Sequence, residues 1–474
     1  MKPGVSAEHE RAADLDLMAA TLAEPYRIKV VERLQMRSRG ERERLLSDAG
    51  NSVFYLESSD VFIDLGTDSG TAAMSDEQWA ALMRGDEAYV RSRSFGSFER
   101  SVRDVTGYPH VIPTHQGRGA ENILMELLVS PSQLVLSNAH FDTTRAHIER
   151  RQGKPIDLVG DALWDFDERA PFKGNFDLAK LAVALERYHQ HVAFVSITIT
   201  NNLACSSPVS MENIRGVKAL ADARGIPVYF DASRMSENAY FIKTRERGYE
   251  NATIPQIVRE MLSYGEGCWM SAKKDALVNI GGFIALQDEA MARRCQEKLV
   301  LYEGFPSYGG LARRDLEAVA VGLKEGMDEQ YLAHRARLLA HFGERLEAVA
   351  GIKVSKPVGG SGVFVQLESV YPHLTPAELP GVALAADMYR EGGVRVGAIP
   401  FHLRTVSLPD GEITERLFQF ARFALPRRVY TKSHLEYVVS VMARVKQLAS
   451  RNKGYRVVSE PEVLGHFFAR FEPL

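Results

Sequence analysis

Two adjacent lysines, Lys273 and Lys274, are the residues of this sequence best suited to covalent chemistry. They follow the apolar run Cys268-Trp269-Met270 at the predicted end of a buried strand. Lysine pairs are common on protein surfaces, but a lysine at the end of a buried strand needs a further reason. A neighbouring cation lowers the pKa of a lysine amine, and the free amine can form an imine with a carbonyl group. The pair is therefore a candidate for imine formation with a carbonyl cofactor.

Other polar and aromatic residues follow predicted strands in the same way. They are Gln116, Gly117 and Arg118 after His110–Ile112, Phe141 and Asp142 after Leu134–Ser137, Asn202 after Val192–Thr200, and Asp231 and Arg234 after Pro227–Phe230. Taken singly, Asn202 is typical of a turn, Asp231 of a helix cap and Phe141 of a core. Because the carboxyl ends of parallel strands share one edge of an open sheet, we expect the whole set to meet there.

The set matches the requirements of pyridoxal 5′-phosphate (PLP). This cofactor needs a lysine for the imine, an acid for its pyridinium nitrogen and a donor for its ring hydroxyl. Glycines before a helix N-terminus let backbone N–H groups approach its phosphate, and an aromatic side chain can stack on its ring. The sequence therefore predicts a PLP site.

The elements that must position this site alternate between strand and helix up to about residue 325. Further strands are predicted at Gly267–Met270 and Gly282–Leu286, and helices at Ala120–Val129, Leu178–Arg187, Met211–Ala223 and Ile254–Tyr264. Such alternation favours an α/β fold with a mainly parallel, helix-covered sheet.

A different pattern follows a long predicted helix at about 315–350. It has strands at 352–354, 362–367 and 394–396 and helices at 380–391 and 432–448, which indicates a smaller α+β unit. We predict an N-terminal arm and part of the small domain at 1–64, a large PLP-binding domain at 65–325 and a C-terminal small domain at 326–474.

Composition limits the function classes. The 474 residues are 45% hydrophobic and 25% charged, as in ordinary globular proteins. A net charge of -3 without a basic stripe argues against nucleic-acid binding, and no apolar run approaches the roughly 20 residues that span a bilayer. Three scattered cysteines supply no zinc or disulfide framework. We expect a cytoplasmic protein that acts on a small molecule.

Several long motifs point to one family. They are Asp64-Leu65 with Thr67-Asp68-Ser69-Gly70-Thr71, Arg84-Gly85-Asp86-Glu87-Ala88-Tyr89, Pro113-Thr114-His115-Gln116-Gly117-Arg118-Gly119, Glu237-Asn238-Ala239-Tyr240-Phe241-Ile242-Lys243, Ser271-Ala272-Lys273-Lys274-Asp275 and Tyr308-Gly309-Gly310-Leu311. With them the chain resembles the tryptophanase and tyrosine phenol-lyase family of PLP-dependent β-eliminating lyases over nearly its whole length. The resemblance implies the fold of aspartate aminotransferase (fold type I) and a homotetramer with active sites between subunits.

The resemblance also implies roles for the cofactor-binding residues. Lys274 matches the imine lysine, and Asp231 matches the partner of the pyridinium nitrogen. Asn202 and Arg234 would lie by the ring oxygen, with Phe141 stacked on the ring. The residues implied around the phosphate are Gln116, Gly117, Arg118, Ser271 and Lys273.

Substrate and cation residues follow from the same resemblance. Arg427 matches the arginine that holds the substrate carboxylate, with Thr67 and Ser69 nearby. Tyr89 matches a general acid that reaches in from the neighbouring subunit. The residues implied for a potassium (K⁺) site are Gly70, Glu87 and Asn279. The implied reaction removes the α-proton through Lys274, protonates the leaving carbon and yields pyruvate and ammonia.

The leaving group is indicated by fewer residues. Asp142 and His466 match the tryptophan-cleaving branch, whereas Ile399 stands where tyrosine-cleaving members have an arginine. Two neighbouring arginines, Arg395 and Arg404, weaken the argument from Ile399. The segments Val278–Gly282 and Arg427–Thr431 resemble the phenol-lyase branch. We predict a tryptophan indole-lyase, with a tyrosine phenol-lyase as the alternative.

One loop departs from the family pattern. The chain has Cys205-Ser206-Ser207 where members usually have Gly-Gly-Gln. Losing two glycines could alter the approach or motion of the backbone near the cofactor. This keeps a third alternative open, a specialised lyase for a modified aromatic or other β-substituted amino acid.

Overall fold

The alternation of strands and helices between residues 110 and 286 builds a seven-stranded sheet. In the computed structural model, residues 20–349, 351–407, 411–461 and 465–474 are described, without the side chains of residues 398–402, 416 and 466. The strands are β2 (His110–Thr114), β3 (Leu134–Ser137), β4 (Lys154–Asp157), β5 (Val192–Thr198), β6 (Val228–Asp231), β7 (Gly267–Ser271) and β8 (Gly282–Leu286), preceded in the chain by β1 (Ile63–Leu65).

The order in this sheet is β2-β8-β7-β6-β5-β3-β4. Neighbours from β4 to β7 are parallel, and β8 runs antiparallel to both β7 and β2. Every residue of β3, β6, β7 and β8 is buried, as expected of strands covered by helices on both faces. The predicted α/β class with a mainly parallel sheet is confirmed.

A second sheet of four strands joins the two ends of the chain. Its order is β1-β10-β11-β9, with β9 at Gly362–Gln366, β10 at Val394–Val406 and β11 at Ile413–Ala424. β1 is parallel to β10, and β11 is antiparallel to both neighbours. A hairpin of β12 (Tyr455–Ser459) and β13 (Arg470–Pro473) lies near the C-terminus.

The helices cover both sheets. They are α1 (Arg39–Asp48), α2 (Asp76–Arg84), α3 (Arg93–Thr106), α4 (Gly117–Leu128), α5 (Asp142–Arg150), α6 (Leu178–Tyr188), α7 (Met211–Asp222), α8 (Met235–Arg245), α9 (Ile254–Leu262), α10 (Glu289–Tyr302), α11 (Arg313–Glu325), α12 (Glu329–Glu347), α13 (Leu367–Val370), α14 (Pro380–Gly392) and α15 (Lys432–Leu448). Among the described helices, none is long and apolar enough to cross a membrane.

Three elements differ from the predictions. The long helix expected at about 315–350 is two helices, because Asp328 caps the second one by accepting a hydrogen bond from the Tyr331 backbone N–H. The strand expected at 352–354 is only an isolated bridge between Val354 and Val365. Strand β11 was not predicted at all. The domain boundaries after residues 64 and 325 stay predictions.

Candidate active site

The carboxyl ends of the central parallel strands open on one pocket. It is lined by Glu121, Phe141, Thr198, Asn201, Asn202, Leu203, Asp231, Ser233, Arg234 and Lys274. Five residues singled out from the sequence are among them. They come from four different strand ends, so the parallel sheet brings them together as the sequence suggested.

Lys274 lies just beyond the end of β7, with its Nζ 5.9 Å from the centre of the Phe141 ring. Burial of the ammonium group, helped by the nearby positive charge of Arg234, lowers the pKa of Lys274 to about 8. Roughly a tenth of the side chain is therefore the free amine at pH 7 and about half at pH 8, far more than for an ordinary lysine, and imine formation requires this form.

Lys273 points to a different part of the site. Its Nζ donates a hydrogen bond of 3.0 Å to Oε1 of Gln116, which immediately precedes α4. Burial and the charge of Arg118 lower the pKa of Lys273. The two lysines, which the sequence analysis assigned to different roles, thus also point in different directions. Lys274 faces Phe141, and Lys273 faces the start of α4.

The start of α4 offers backbone N–H groups to an anion. The side chain of Gln116, the residue before the helix, makes no capping hydrogen bond, and the helix dipole favours negative charge at this end. A Cβ on Gly117 would lie 2.6 Å from the Cβ of Ser271, so only glycine lets the end of β7 approach so closely. Gln116, Gly117, Arg118, Ser271 and Lys273 thus gather where the phosphate of PLP would need charge and N–H donors.

Asp231 ends β6, and its Oδ1 accepts a hydrogen bond of 3.1 Å from the backbone N–H of Ser233. A second buried carboxyl, Glu121, lines the same pocket and was missed from the sequence. Burial, together with the charge of Asp231, raises the pKa of Glu121 to about 7. Its only signal in the sequence is a carboxyl on the otherwise apolar face of a helix.

Arg234 lines the pocket and forms a bidentate ion pair with Asp68, with a shortest distance of 2.8 Å. Burial opposes ionisation of Asp68, but Arg234 and Arg427 outweigh it and hold the pKa of this carboxyl well below its usual value. Asp68 therefore stays charged and anchors the loop after β1 against the pocket.

The expectation that Arg427 holds a substrate carboxylate does not fit the geometry. Its side chain is completely buried, and its guanidinium contacts Asp68 at 2.9 Å, Glu237 at 2.7 Å and Asp275 at 3.1 Å. A substrate could reach it only by displacing these carboxylates. Arg427 is part of a buried ionic cluster.

Arg422 lies nearer to the pocket and was missed. Its Nη1 donates to Oδ1 of Asn202 at 2.8 Å, and its Nη2 donates to the carbonyl of Gly66 at 3.2 Å. The residue lies on β11, the strand that was not predicted. An alternation was present in the sequence, since Phe418, Phe420 and Arg422 occupy one face of that strand.

The loop after β1 carries Thr67, Ser69 and Gly70. The Ser69 N–H donates to Thr67 Oγ1 at 3.1 Å, and the Gly70 N–H donates to the Lys273 carbonyl at 2.8 Å. Asn279 closes the other side, because its Nδ2 donates to the Gly70 carbonyl at 3.0 Å. Two of the three residues expected at the potassium site are thus adjacent.

Glu87 and Tyr89 lie elsewhere on the same chain. Glu87 pairs with Arg314 at 2.9 Å. Tyr89 is 62% exposed and stacks on Phe305 with ring centres 5.5 Å apart. In the described ranges no group of three or more His, Cys, Asp or Glu residues could hold a metal ion.

The structure describes the side chains of only some of the residues expected to select the leaving group. Asp142 begins α5 next to Phe141, and its charge acts on Arg422. His466 lies in a short 3-10 helix at Gly465–Phe467, but its side chain is outside the described part of the structure, as is that of Ile399. Arg395 pairs with Asp64 and Arg404 with Glu415, each at 2.7 Å.

Comparison with solved structures identifies the fold. The aspartate aminotransferase of Rhizobium meliloti has a TM-score of 0.58 at 13% identity, covering 90% of this chain and 99% of that one. A serine palmitoyltransferase of Sphingomonas wittichii has a TM-score of 0.54 at 12% identity, covering 95% and 100%. The predicted aspartate aminotransferase-like fold is confirmed.

Comparison of sequences identifies the family. The family model for β-eliminating lyases matches residues 64–440. A tryptophanase of Salinibacter ruber is 48% identical over 456 residues, 96% of each chain, and a tyrosine phenol-lyase of Intrasporangium calvum is 46% identical over 457 residues, again 96% of each. The chain therefore belongs to the PLP-dependent β-eliminating lyases, the family of tryptophanases and tyrosine phenol-lyases.

Proposed function

We propose that the protein is a tryptophan indole-lyase, which converts L-tryptophan to indole, pyruvate and ammonia. The observation that carries this proposal is the position of Asp142. It follows the stacking residue Phe141 directly and is close enough to Arg422 for its charge to act on the guanidinium. An acid there would lie beside the side chain of an amino acid whose carboxylate is bound by Arg422.

The ion pairs of the two arginines that could bind a phenol also favour tryptophan over tyrosine as the substrate. A phenol-lyase needs a cation near the substrate ring, and the two arginines closest in sequence to that position are Arg395 and Arg404. Both are engaged, the first by Asp64 and the second by Glu415. Tyrosine cleavage is the alternative, and the altered loop at Cys205-Ser206-Ser207 favours testing other β-substituted amino acids as well.

In this proposal each side chain has one task. PLP, when bound, supplies an electron sink for negative charge at the substrate α-carbon. Lys274 anchors the cofactor and accepts the α-proton, for which a pKa of about 8 is suitable. Asp231, which lines the pocket, would hold the protonated ring nitrogen of the cofactor.

Two further tasks concern substrate orientation. Arg422 replaces Arg427 as the residue that binds the substrate carboxylate, because it contacts the pocket residue Asn202, whereas three buried carboxylates already hold Arg427. Its planar guanidinium can bind a carboxylate through two hydrogen bonds. Thr67 and Ser69, on the loop beside Lys273, complete the carboxylate subsite. His466 is proposed, with Asp142, to act on the leaving group.

The remaining assignments need a second subunit. We propose a homotetramer in which Tyr89 of one chain serves as general acid in the site of another, since Tyr89 is exposed and lies outside its own pocket. In the same way Glu87 would join Gly70 and Asn279 of a neighbour around K⁺, for which oxygen ligands are suitable. We place the enzyme in the cytoplasm.

The test compares pyruvate release from L-tryptophan, L-tyrosine and S-methyl-L-cysteine, in buffer with PLP and potassium chloride. We expect tryptophan to give the highest kcat/KM. The Asp142→Ala variant should lose far more activity on tryptophan than on S-methyl-L-cysteine. The thiolate of the latter can leave as an anion, whereas indole leaves only after one of its ring carbons has been protonated. Absence of tryptophan turnover beside rapid turnover of another substrate would overturn the assignment.

A further inference from the structure

Two buried serines connect the altered loop to the active site. Ser206, in that loop, is hydrogen-bonded through its Oγ to the Oγ of Ser361, and both side chains are fully buried. Ser361 in turn donates to Oδ1 of Asn202 at 3.3 Å. The same Asn202 oxygen accepts the 2.8 Å hydrogen bond from Arg422.

The directions of these hydrogen bonds are fixed by the groups involved. A guanidinium can only donate, so the Asn202 atom facing Arg422 must be the carbonyl oxygen. That oxygen can only accept, so Ser361 donates to it and Ser206 donates to Ser361. The Asn202 Nδ2 has no acceptor among the described residues, and Asn202 lines the pocket.

The backbone holds the two serines in contact. The Gly360 N–H donates to the Ser206 carbonyl at 3.0 Å, and a Cβ on Gly359 would lie 1.9 Å from that same oxygen. The Leu425 N–H donates to the Ser361 carbonyl at 3.0 Å, three residues beyond Arg422 on the chain. The altered loop therefore rests directly on the strand pair that carries Arg422.

The altered loop has a strained backbone conformation where it contacts Ser361. Cys205 and Ser206 have φ angles of 53° and 56°, in the left-handed region that favours glycine. Two glycines would remove the strain but would also remove the Ser206 hydroxyl. The position where the family pattern has glycine thus carries the first donor of the hydrogen-bond chain.

We propose that Ser206 and Ser361 form a positioning relay that fixes the orientation of the Asn202 amide and, through it, the Arg422 guanidinium. Neither serine lines the pocket. The relay rests on the proposed function, because it assigns Asn202 to the ring oxygen of PLP and Arg422 to the substrate carboxylate. The relay keeps Nδ2 of Asn202 oriented as a hydrogen-bond donor. It also keeps the Arg422 guanidinium in the position in which it can bind a carboxylate.

The experiment uses the PLP-loaded enzyme and the variants Ser361→Ala, Ser206→Gly and the double variant. The first readout is KM against kcat for the best amino-acid substrate, and the second is the midpoint of the pH-dependent change in the visible absorbance of the enzyme without substrate. Ser52→Ala is the matched control, since Ser52 is a buried serine whose Oγ has no partner among the described residues.

We expect Ser361→Ala to raise KM by about three- to tenfold, with a smaller change in kcat, because one hydrogen bond of the chain is lost. The absorbance midpoint should move to higher pH, because a loosened Asn202 stabilises the ionised ring oxygen less. Ser206→Gly should shift both readouts in the same direction, and the double variant should be no worse than Ser361→Ala, as for groups acting in series.

Variants that match Ser52→Ala in both readouts would overturn the relay, and so would a lowered Tm without a change in either readout. Ser206→Gly keeps the test decisive if Ser361→Ala does not fold, because glycine suits the φ of residue 206. If the wild-type enzyme releases no pyruvate from any amino acid, the proposed function fails, whereas the absorbance titration still decides the relay.

Discussion

The guanidinium of Arg422 is hydrogen-bonded to the side-chain oxygen of Asn202 at 2.8 Å, which links the four-stranded sheet to the end of a central parallel strand. One partner lies on β11 and the other just after β5. A ligand held between them would contact both sheets at once. In the proposed function the substrate carboxylate would bind here, at Arg422, whereas Arg427 stays in its buried ionic cluster.

Replacing Arg422 with leucine should impair substrate binding and leave the fold intact. Losing a two-hydrogen-bond carboxylate contact is expected to lower kcat/KM by about a hundredfold, mainly through KM. Steady-state pyruvate release measures the effect. Arg404→Leu is the control, because it removes another half-buried arginine from the adjacent strand; equal losses in the two variants would contradict the assignment.

Replacing Arg427 with methionine should instead destabilise the protein. The change would leave Asp68, Glu237 and Asp275 buried without their shared cation, at a cost of about 3–5 kcal/mol in the free energy of unfolding. Urea unfolding followed by circular dichroism measures the cost. The exposed pair of Arg293 and Glu289 supplies the control, since Arg293→Met should cost about 0.5 kcal/mol or less. A fully stable Arg427→Met protein would show that the cluster is dispensable.

The two lysines should behave differently on substitution. Lys274→Ala is expected to abolish steady turnover and to leave PLP bound without a covalent link. Lys273→Ala should keep the link but weaken retention of the cofactor, because its amine contacts Gln116 at the start of α4. Borohydride reduction followed by mass spectrometry reports which lysine is labelled. Full activity in Lys274→Ala would refute the assignment of the imine lysine.

The pKa of about 8 at Lys274 predicts how cofactor capture depends on pH. Only the neutral amine attacks the PLP aldehyde, and the neutral fraction rises as the pH increases through the pKa. The rate of capture by enzyme freed of PLP should therefore rise between about pH 7 and 9 and then level off. Stopped-flow absorbance measures this rate. A rate that still climbs steeply at pH 10 would mean an ordinary lysine pKa.

Tyr89 should act on the site of a neighbouring subunit. If so, Tyr89→Phe and Lys274→Ala, each nearly inactive alone, should complement one another when subunits are mixed and allowed to exchange. In random pairing, hybrid pairs contain one intact site, so about a quarter of the wild-type activity should return. Pyruvate release before and after mixing measures the recovery. No recovery, with subunit exchange verified by mass, would place Tyr89 in its own chain's site or outside catalysis.

Sequence reasoning was most effective where each residue follows a short buried strand. Phe141, Asn202, Asp231 and Lys274 were found in this way, because parallel strands with regular connections fix where their ends meet. It failed for Arg422 because that residue lies within a strand whose partners are distant in sequence. The helix break at Asp328 and the ionic cluster around Arg427 were also hidden, since a single capping residue and a set of long-range contacts leave no periodic signal.

The pairing of β1 with β10 has a consequence for how the protein is made. Asp64 and Arg395, 331 residues apart in the chain, pair across these two strands. The loop with Thr67, Ser69 and Gly70 begins directly after β1, so its starting point is fixed only once β10 has left the ribosome. The proposed carboxylate subsite, which needs this loop as well as Arg422, therefore forms only at the last stage of synthesis, and a nascent chain that stalls before residue 394 cannot complete it.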